Sequence, residues 1–138
     1  MRVKALAQAI EQGIEAQRGQ PLATVALALV DLQLAMVKSN TQAWAAMFLL
    51  ERLVSTPEAY RKHYARFVAL WQQALAAASD PPEPARLPAI ARMVHATVYG
   101  CISQALLTQG HKFDGQALRR EFGLAIPAYL HAGFREPL

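Results

Sequence analysis

Apolar residues recur along this chain three or four positions apart, and nowhere do they alternate with polar residues as they would in a strand. Glycine, proline and helix-capping residues separate the periodic segments from one another. This pattern predicts an all-α protein in which residues 1–138 form a single domain, a six-helix bundle. The predicted helices cover residues 3–17, 21–38, 41–55, 57–78, 86–109 and 114–133.

The ends of several segments carry residues that favour helix boundaries. Pro21 and Pro57 each suit the first turn of a helix, where the missing N–H would have no partner in any case. Ser39 or Asn40 is a candidate N-cap for the third helix, and Asp114 is one for the sixth. These signals define the starts of four helices more sharply than periodicity alone.

Proline also marks two less regular places. Residues 79–88 hold four of the eight prolines, and we interpret them as a loop inside the domain. Pro127 lies within the sixth segment, where it removes a backbone donor and crowds the carbonyl of Gly123, so we expect a kink or a break there. Gly133 and Pro137 are expected to end that helix.

The fifth segment, residues 86–109, has almost no charge. Its only charged residues are Arg86 and Arg92, both near its start. An ordinary surface helix has one apolar stripe and keeps the opposite face charged. We therefore expect this helix to be covered on two sides, by its own domain and by a partner chain. One stripe is Leu87, Ile90, Ala91, Val94, Val98, Cys101 and Ala105, and the second is Met93, Thr97, Gly100, Gln104 and Leu107.

Composition supports extensive burial. Hydrophobic residues make up 54% of the chain and charged residues 17%, whereas soluble domains carry about 25% charged residues. No apolar run approaches the ~20 residues of a membrane span, so we expect a buried core plus an oligomer interface and no membrane partner. The single cysteine excludes an internal disulfide framework, and the N-terminus lacks the features of a signal peptide. A cytoplasmic location is the expectation.

Basic residues do not form an extended nucleic-acid-binding surface in the sequence. The net charge of +4 permits weak attraction to nucleic acid without demonstrating it, because the fourteen Lys and Arg are scattered. The only local clusters are Arg61, Lys62 and Arg66, and the pair Arg119 and Arg120.

No motif for catalysis or metal binding is present. None of the four histidines pairs with another ligand type three or four residues away on a predicted helix, and the nucleophile and phosphate-binding motifs are missing. Cys101 lies among apolar residues in mid-helix, which favours a small core residue over a reactive thiolate. No spacing links Asp31, Glu51 and Glu121 into an acid–base pair. We predict no catalytic residue, no metal, no cofactor and no enzymatic activity.

A ligand pocket is the remaining functional signal. Three consecutive helices are rich in Met, Trp, Phe and Tyr, and each has a lone polar residue in its apolar face. Apolar pockets with a few polar groups between bundle helices are a common form of small-molecule site. The alternative is that large side chains simply fill the core. Asp31 is accordingly either a partly exposed carboxylate or a polar anchor facing a cavity.

Three stretches of the sequence resemble a known family. They are ERLVSTPEAYRKHYARFVALWQQAL, ARMVHATVYGCISQALLTQG and IPAYLHAGF. The chain resembles the C-terminal effector-binding and dimerisation domain of tetracycline-repressor-like (TetR family) transcriptional regulators. The middle stretch is similar to the penultimate helix of that family, with Gly100 midway and Leu106 and Leu107 before the turn glycine.

The resemblance implies a fold and two surfaces. The last two helices would pair with those of a second copy in a four-helix dimer interface, and the middle helices would enclose a small apolar effector. Effector binding would then change the spacing of two DNA-binding domains. Under this hypothesis the pocket residues are Asp31, Trp44, Met47, Phe67, Trp71, His95 and Tyr99. The homodimer residues are Ile90, Val94, Val98, Ala105, Phe122, Ile126 and Tyr129.

One departure from the family concerns DNA. The three-helix DNA-binding domain should precede this domain, but the first predicted helix corresponds to the helix that connects the two. DNA contact is therefore expected only through a helix-turn-helix domain that is not in this sequence. The second hypothesis is an interaction or scaffold bundle that binds no ligand and pairs with another protein through residues 86–109.

Overall fold

The computed structural model describes the backbone of residues 2–133 and the side chains of residues 4–132. Within that range the chain forms six α-helices and no strand, which confirms the predicted all-α six-helix bundle. A short 3₁₀ turn, Gly110–Lys112, joins the last two helices. The helices are α1 (Arg2–Gln17), α2 (Leu22–Ser39), α3 (Thr41–Val54), α4 (Pro57–Ala76), α5 (Leu87–Gln109) and α6 (Gly115–Gly133).

The predicted caps form the expected hydrogen bonds. The side chain of Asn40 accepts from the backbone N–H of Ala43 at 3.1 Å, which makes it, rather than Ser39, the N-cap of α3. The carboxylate of Asp114 accepts from Ala117 at 3.0 Å at the start of α6. Each cap satisfies a backbone donor that the first turn of a helix leaves free.

The proline-rich loop is anchored to the turn between α1 and α2. Asp80 accepts a hydrogen bond from the backbone N–H of Leu22 at 2.8 Å, and thereby caps α2 from 58 residues away. Backbone bonds from Gly19 to Ala77 (2.8 Å) and from Ser79 to Gln20 (2.9 Å) join the same two regions. The end of α4 is thus attached to the start of α2.

The core lies between α2, α4 and α5, with α1 and α6 packed on α2 and with α3 packed on α5. Among the described residues α2 alone is long and apolar enough to cross a membrane by length and composition. In this structure 44% of its residues are buried inside the bundle. The expectation that no segment approaches a membrane span therefore needs correction for α2.

Of the kink or break expected at Pro127, the break does not occur, since α6 continues to Gly133. Ile126 and Leu130, on either side of Pro127, are each only 2% exposed and pack against the core. The expectation for Cys101 was wrong. Cys101 is exposed and not part of the core. The buried line of α5 advances in steps of four through Val98, Ile102 and Leu106, which turns Cys101 outward. Pro137 lies outside the described residues.

Alanine in place of glycine should change the stability of the fold in opposite directions at two positions, one within α5 and one at its C-terminal end. A Cβ at Gly100 would meet no atom within 4 Å, so Gly100→Ala should raise the free energy of unfolding by about 0.5–1 kcal/mol through reduced backbone entropy. Gly110 ends α5 at φ +59°, so Gly110→Ala should lower it by about 1–3 kcal/mol. Urea denaturation measures both. A destabilised Gly100→Ala variant would contradict the open space at that position.

Candidate functional site

A pocket of about 210 Å³ opens between α3, α4 and α5. Half of its lining comes from α5, and aromatic rings from all three helices form its walls. A second recess of about 20 Å³ lies against several of the same side chains. The larger pocket is lined by Phe48, Glu51, Arg52, Tyr60, Tyr64, His95, Ala96, Tyr99, Gly100 and Ser103.

His95 stands at the centre of the aromatic walls. Its ring is stacked on Phe67, with ring centroids 5.6 Å apart and planes 6° from parallel. Tyr64 meets it edge-on at 5.7 Å, and Tyr99 lies tilted against it at 5.3 Å. Phe48 extends the cluster by an edge contact with Tyr99 at 5.3 Å. The imidazole is therefore held in one orientation by rings from α4 and α5.

The His95 imidazole is buried and has no protein partner among the residues that the structure describes. Only 6% of the residue is exposed, and burial lowers its pKa to about 4. The ring is therefore neutral near pH 7 and offers one donor and one acceptor. The fully enclosed side-chain atoms that lack a partner in the described chain are Trp71 Nε1 and Arg86 Nε. The nitrogens of His95 are not among them, so they are not fully enclosed.

Tyr99 and Glu51 form the second polar feature of the pocket. The Tyr99 hydroxyl donates to the Glu51 carboxylate, with 2.8 Å from the hydroxyl oxygen to each carboxylate oxygen. Burial first, and the charge and hydrogen bond of Glu51 second, hold the pKa of Tyr99 well above its ordinary value. The hydroxyl thus remains a donor, engaged with the carboxylate. Glu51 is a site residue that the sequence did not single out, although it continues the inward line of Trp44 and Phe48 on α3.

The structure brings together three of the seven predicted pocket residues. His95 and Tyr99 line the main pocket, and Phe67 lines the adjoining recess. Trp44 and Trp71 are instead core residues, 2% and 1% exposed. Trp44 packs on Phe48 at 5.9 Å and so lies one ring away from the pocket.

The remaining two predicted pocket residues lie elsewhere. Met47 is half-buried against the core and does not reach the pocket. Asp31 is on α2, in a different cleft, and forms an ion pair with Arg119. Its side chain is 56% exposed, so the interpretation of Asp31 as a partly exposed carboxylate agrees with the structure.

Most of the predicted dimer residues lie on the inward faces of their helices. Five of the seven are at most 2% exposed, because they fill the core of the chain itself, and they cannot reach a second copy in this fold. Ala105 and Tyr129 are half-buried. The buried five are Ile90, Val94, Val98, Phe122 and Ile126.

The second stripe of α5 is the one that stays at the surface. Met93 is 53% exposed, Gln104 is exposed, and Thr97 and Gly100 are partly so. Cys101, which the sequence assigned to the first stripe, is exposed beside them. The outward face of α5 therefore consists of small or uncharged residues beyond Arg92. An uncharged helix face of this kind is unusual at a solvated surface.

The described part of the chain contains no cluster of three or more His, Cys, Asp or Glu that could hold a metal ion. Comparison of the chain with protein-family models, with curated proteins and with solved structures found no significant match. Function is accordingly inferred from the pocket and from the surface of α5.

Burial of His95 should make the stability of the fold depend on pH. The pKa of His95 is about 4 in the folded chain and 6.5 when the ring is free. Above pH 6.5 neither state carries the proton, whereas from there down to about 4 the unfolded chain alone gains it, and stability falls. The loss amounts to about 3 kcal/mol over this window. It is measured as a lower urea midpoint at about pH 4.5 than at about pH 7.5.

The matched variants separate His95 from other titrating groups. His95→Phe keeps a ring stacked on Phe67 and cannot take up a proton. Its stability should therefore fall much less than that of the wild type as the pH is lowered. His63→Phe removes a half-exposed histidine of α4 and should retain the decline of the wild type. An unchanged decline in His95→Phe would contradict a neutral buried imidazole.

Proposed function

We propose that this chain is the effector-sensing and dimerisation part of a TetR-like transcriptional regulator and that its effector binds in the α3–α4–α5 pocket. The observation that carries the proposal is His95, a buried imidazole without a protein partner among the described residues, aimed into an aromatic pocket. The His95 nitrogens are not fully enclosed, so a molecule in the pocket can hydrogen-bond to them.

The dimensions of the pocket define the class of effector. An apolar cavity of ~150 Å³ accommodates benzene, and this pocket measures about 210 Å³. It therefore fits one ring with short substituents. The walls are aromatic, the Ser103 hydroxyl donates to the Gly100 carbonyl at 3.2 Å, and the His95 nitrogens have no protein partner among the described residues. We infer a mainly apolar single-ring molecule that carries one hydrogen-bonding group.

Helix α5 supplies a route from the pocket to a partner. His95 and Tyr99 face the pocket, Cys101 and Gln104 face outward, and Gly100 lies between these two sides. A ligand that shifts α5 would shift both sides together, because a packed helix moves as a unit. In the proposed regulator this movement changes the geometry of a homodimer, and DNA is contacted by a helix-turn-helix domain and not by the six helices.

The homodimer in this proposal uses the outward faces of α5 and α6. The exposed residues of α5 are uncharged from Met93 onward, and Leu124 of α6 is 70% exposed. Contact between two copies through these faces would cover apolar surface that solvent otherwise hydrates. This replaces the inward-facing residues that the sequence suggested for the interface.

A second candidate function is a scaffold bundle that binds another protein. It is favoured by one apolar patch on α3, whose large aliphatic residues are about half exposed or more. Exposed apolar patches mark interaction surfaces. The patch consists of Leu49, Leu50, Leu53 and Val54.

Single-ring probes test the effector pocket. We expect at least one of phenol, benzyl alcohol and benzamide to raise the melting temperature and to change the fluorescence of Trp44, which packs on the pocket residue Phe48. Gly100→Leu places a side chain in the open space of the pocket. It should weaken binding at least about tenfold, equivalent to about 1.4 kcal/mol.

The control is Ala69→Leu, which adds the same bulk on the exposed side of α4 and should bind like the wild type. Binding that survives Gly100→Leu would locate the ligand elsewhere. If none of the probes binds, the scaffold function is favoured instead.

Sedimentation equilibrium at micromolar concentration tests the dimer. We expect the wild type to sediment as a dimer and Cys101→Arg as a monomer, because the variant places a charge in the middle of the proposed interface. Cys101 is exposed in the single chain, so the arginine should leave the helical circular dichroism unchanged. Cys101→Ser should remain dimeric. A monomeric wild type would contradict the dimer.

A further inference from the structure

A large hollow lies away from the aromatic pocket, between α2 and the start of α6. It has a volume of about 740 Å³, within the roughly 300–1,000 Å³ typical of small-molecule sites. One wall is a continuous face of α2, formed by Asp31, Leu34, Ala35 and Lys38 at helical spacing. The opposite wall comprises the 3₁₀ turn after α5 and the first turns of α6. We call it the α2–α6 cleft.

Positive charge from three places in the sequence converges on the α2–α6 cleft. Lys38, Lys112, Arg119 and Arg120 all line it, against two acids. This excess of two is half of the net charge of the whole sequence, +4. The charge is therefore concentrated at one concave place and not spread evenly over the surface.

Both acids of the cleft are already engaged. Asp31 accepts from the guanidinium Nε of Arg119 at 2.5 Å, and Asp114 accepts from the backbone N–H of Ala117 as the cap of α6. Within the described chain, Lys38, Lys112 and Arg120 have no carboxylate at ion-pair distance. Three cations thus remain available to an anion in the hollow.

The α2–α6 cleft also has an apolar floor. Leu34 and Ala35 line it from α2, and the ring of Phe113 lines it from the connection to α6. A neighbouring hollow of about 480 Å³ shares Lys38, Thr41 and His111 with it and continues past Ala45 and Leu106. This space is far larger than an inorganic anion needs and presents apolar surface beside the cations.

We propose that the α2–α6 cleft binds a small anionic amphiphile, with its carboxylate on Lys38, Lys112 and Arg120 and its apolar chain on Leu34 and Phe113. Hydrogen bonds from cations to a carboxylate are stronger than neutral ones, and burial of the chain adds the hydrophobic contribution. The two parts of the ligand match the two surfaces of the hollow. This site is separate from the effector pocket of the proposed function and does not depend on it.

Octanoate is the probe, titrated into the full chain and followed by calorimetry and by amide NMR. The test variant replaces the three available cations together, as Lys38→Gln, Lys112→Gln and Arg120→Gln. It should weaken octanoate binding at least about tenfold, since hydrogen bonds to charged groups are stronger than those between neutral groups. Amide shifts in the wild type should centre on Leu34 and Phe113.

The matched control removes three exposed cations on other surfaces, as Lys4→Gln, Arg61→Gln and Lys62→Gln. It lowers the net charge equally and should change the octanoate affinity by less than about twofold, because isolated surface charges contribute little. Equal losses in both triple variants would show a general charge effect and would overturn the proposal.

Two further ligands test the match between amphiphile and cleft. Octylammonium has the same chain with the opposite charge and should not bind. Inorganic phosphate has the charge without the chain and should bind more weakly than octanoate. Phosphate binding as tight as octanoate would overturn the amphiphile and leave a plain anion site.

Gly100→Leu separates this proposal from the proposed function. The variant fills the α3–α4–α5 pocket and leaves the cleft intact, so octanoate should bind it as it binds the wild type. If Gly100→Leu abolishes octanoate binding and the cleft variant does not, the ligand lies in the aromatic pocket. That result would overturn the α2–α6 proposal while supporting the effector pocket.

Discussion

The line of aliphatic side chains that α5 buries determines how the rest of the helix can be used. Ile90, Val94, Val98, Ile102 and Leu106 follow one another in steps of four, and each is at most 2% exposed. Since a helix turns through a fixed angle per residue, burial of this line places every other residue of α5. It turns the imidazole and phenol toward α3 and α4 and leaves the uncharged stripe at the surface.

Periodicity and capping chemistry were enough to predict the helices, because both act over a few residues. They were insufficient where two registers of the same helix are equally apolar. Val98 can be followed inward by either Cys101 or Ile102, and the packing of neighbouring helices selects Ile102. The same limit explains why most residues predicted for the dimer interface are buried in the core of the chain. Those most apolar in sequence, such as Phe122, are the ones that the chain uses for its own core.

The candidate site likewise divides into residues that local sequence patterns could identify and residues that only long-range packing brings together. His95, Tyr99 and Phe67 were identifiable because each lies on an apolar face of a strongly patterned helix. Glu51 was not, because its partner Tyr99 is 48 residues away and nothing local distinguishes it from a solvated acid. The α2–α6 cleft was missed because its residues are even further apart in the sequence. Asp31 and Arg119 are separated by 88 residues, and Lys38, Lys112 and Arg120 come together only after folding.

The two hollows differ in the physical basis on which they would select a ligand. In the aromatic pocket the histidine is neutral and the Tyr99 hydroxyl is engaged with Glu51, so ring shape and a hydrogen bond to His95 would discriminate. In the α2–α6 cleft the acids are engaged and three cations are available, so charge discriminates first. Because burial makes an uncompensated charge costly, an anion is disfavoured beside the neutral imidazole and favoured in the cleft. The two proposed sites would therefore differ in their preference for ligand charge, neutral in the aromatic pocket and anionic in the cleft.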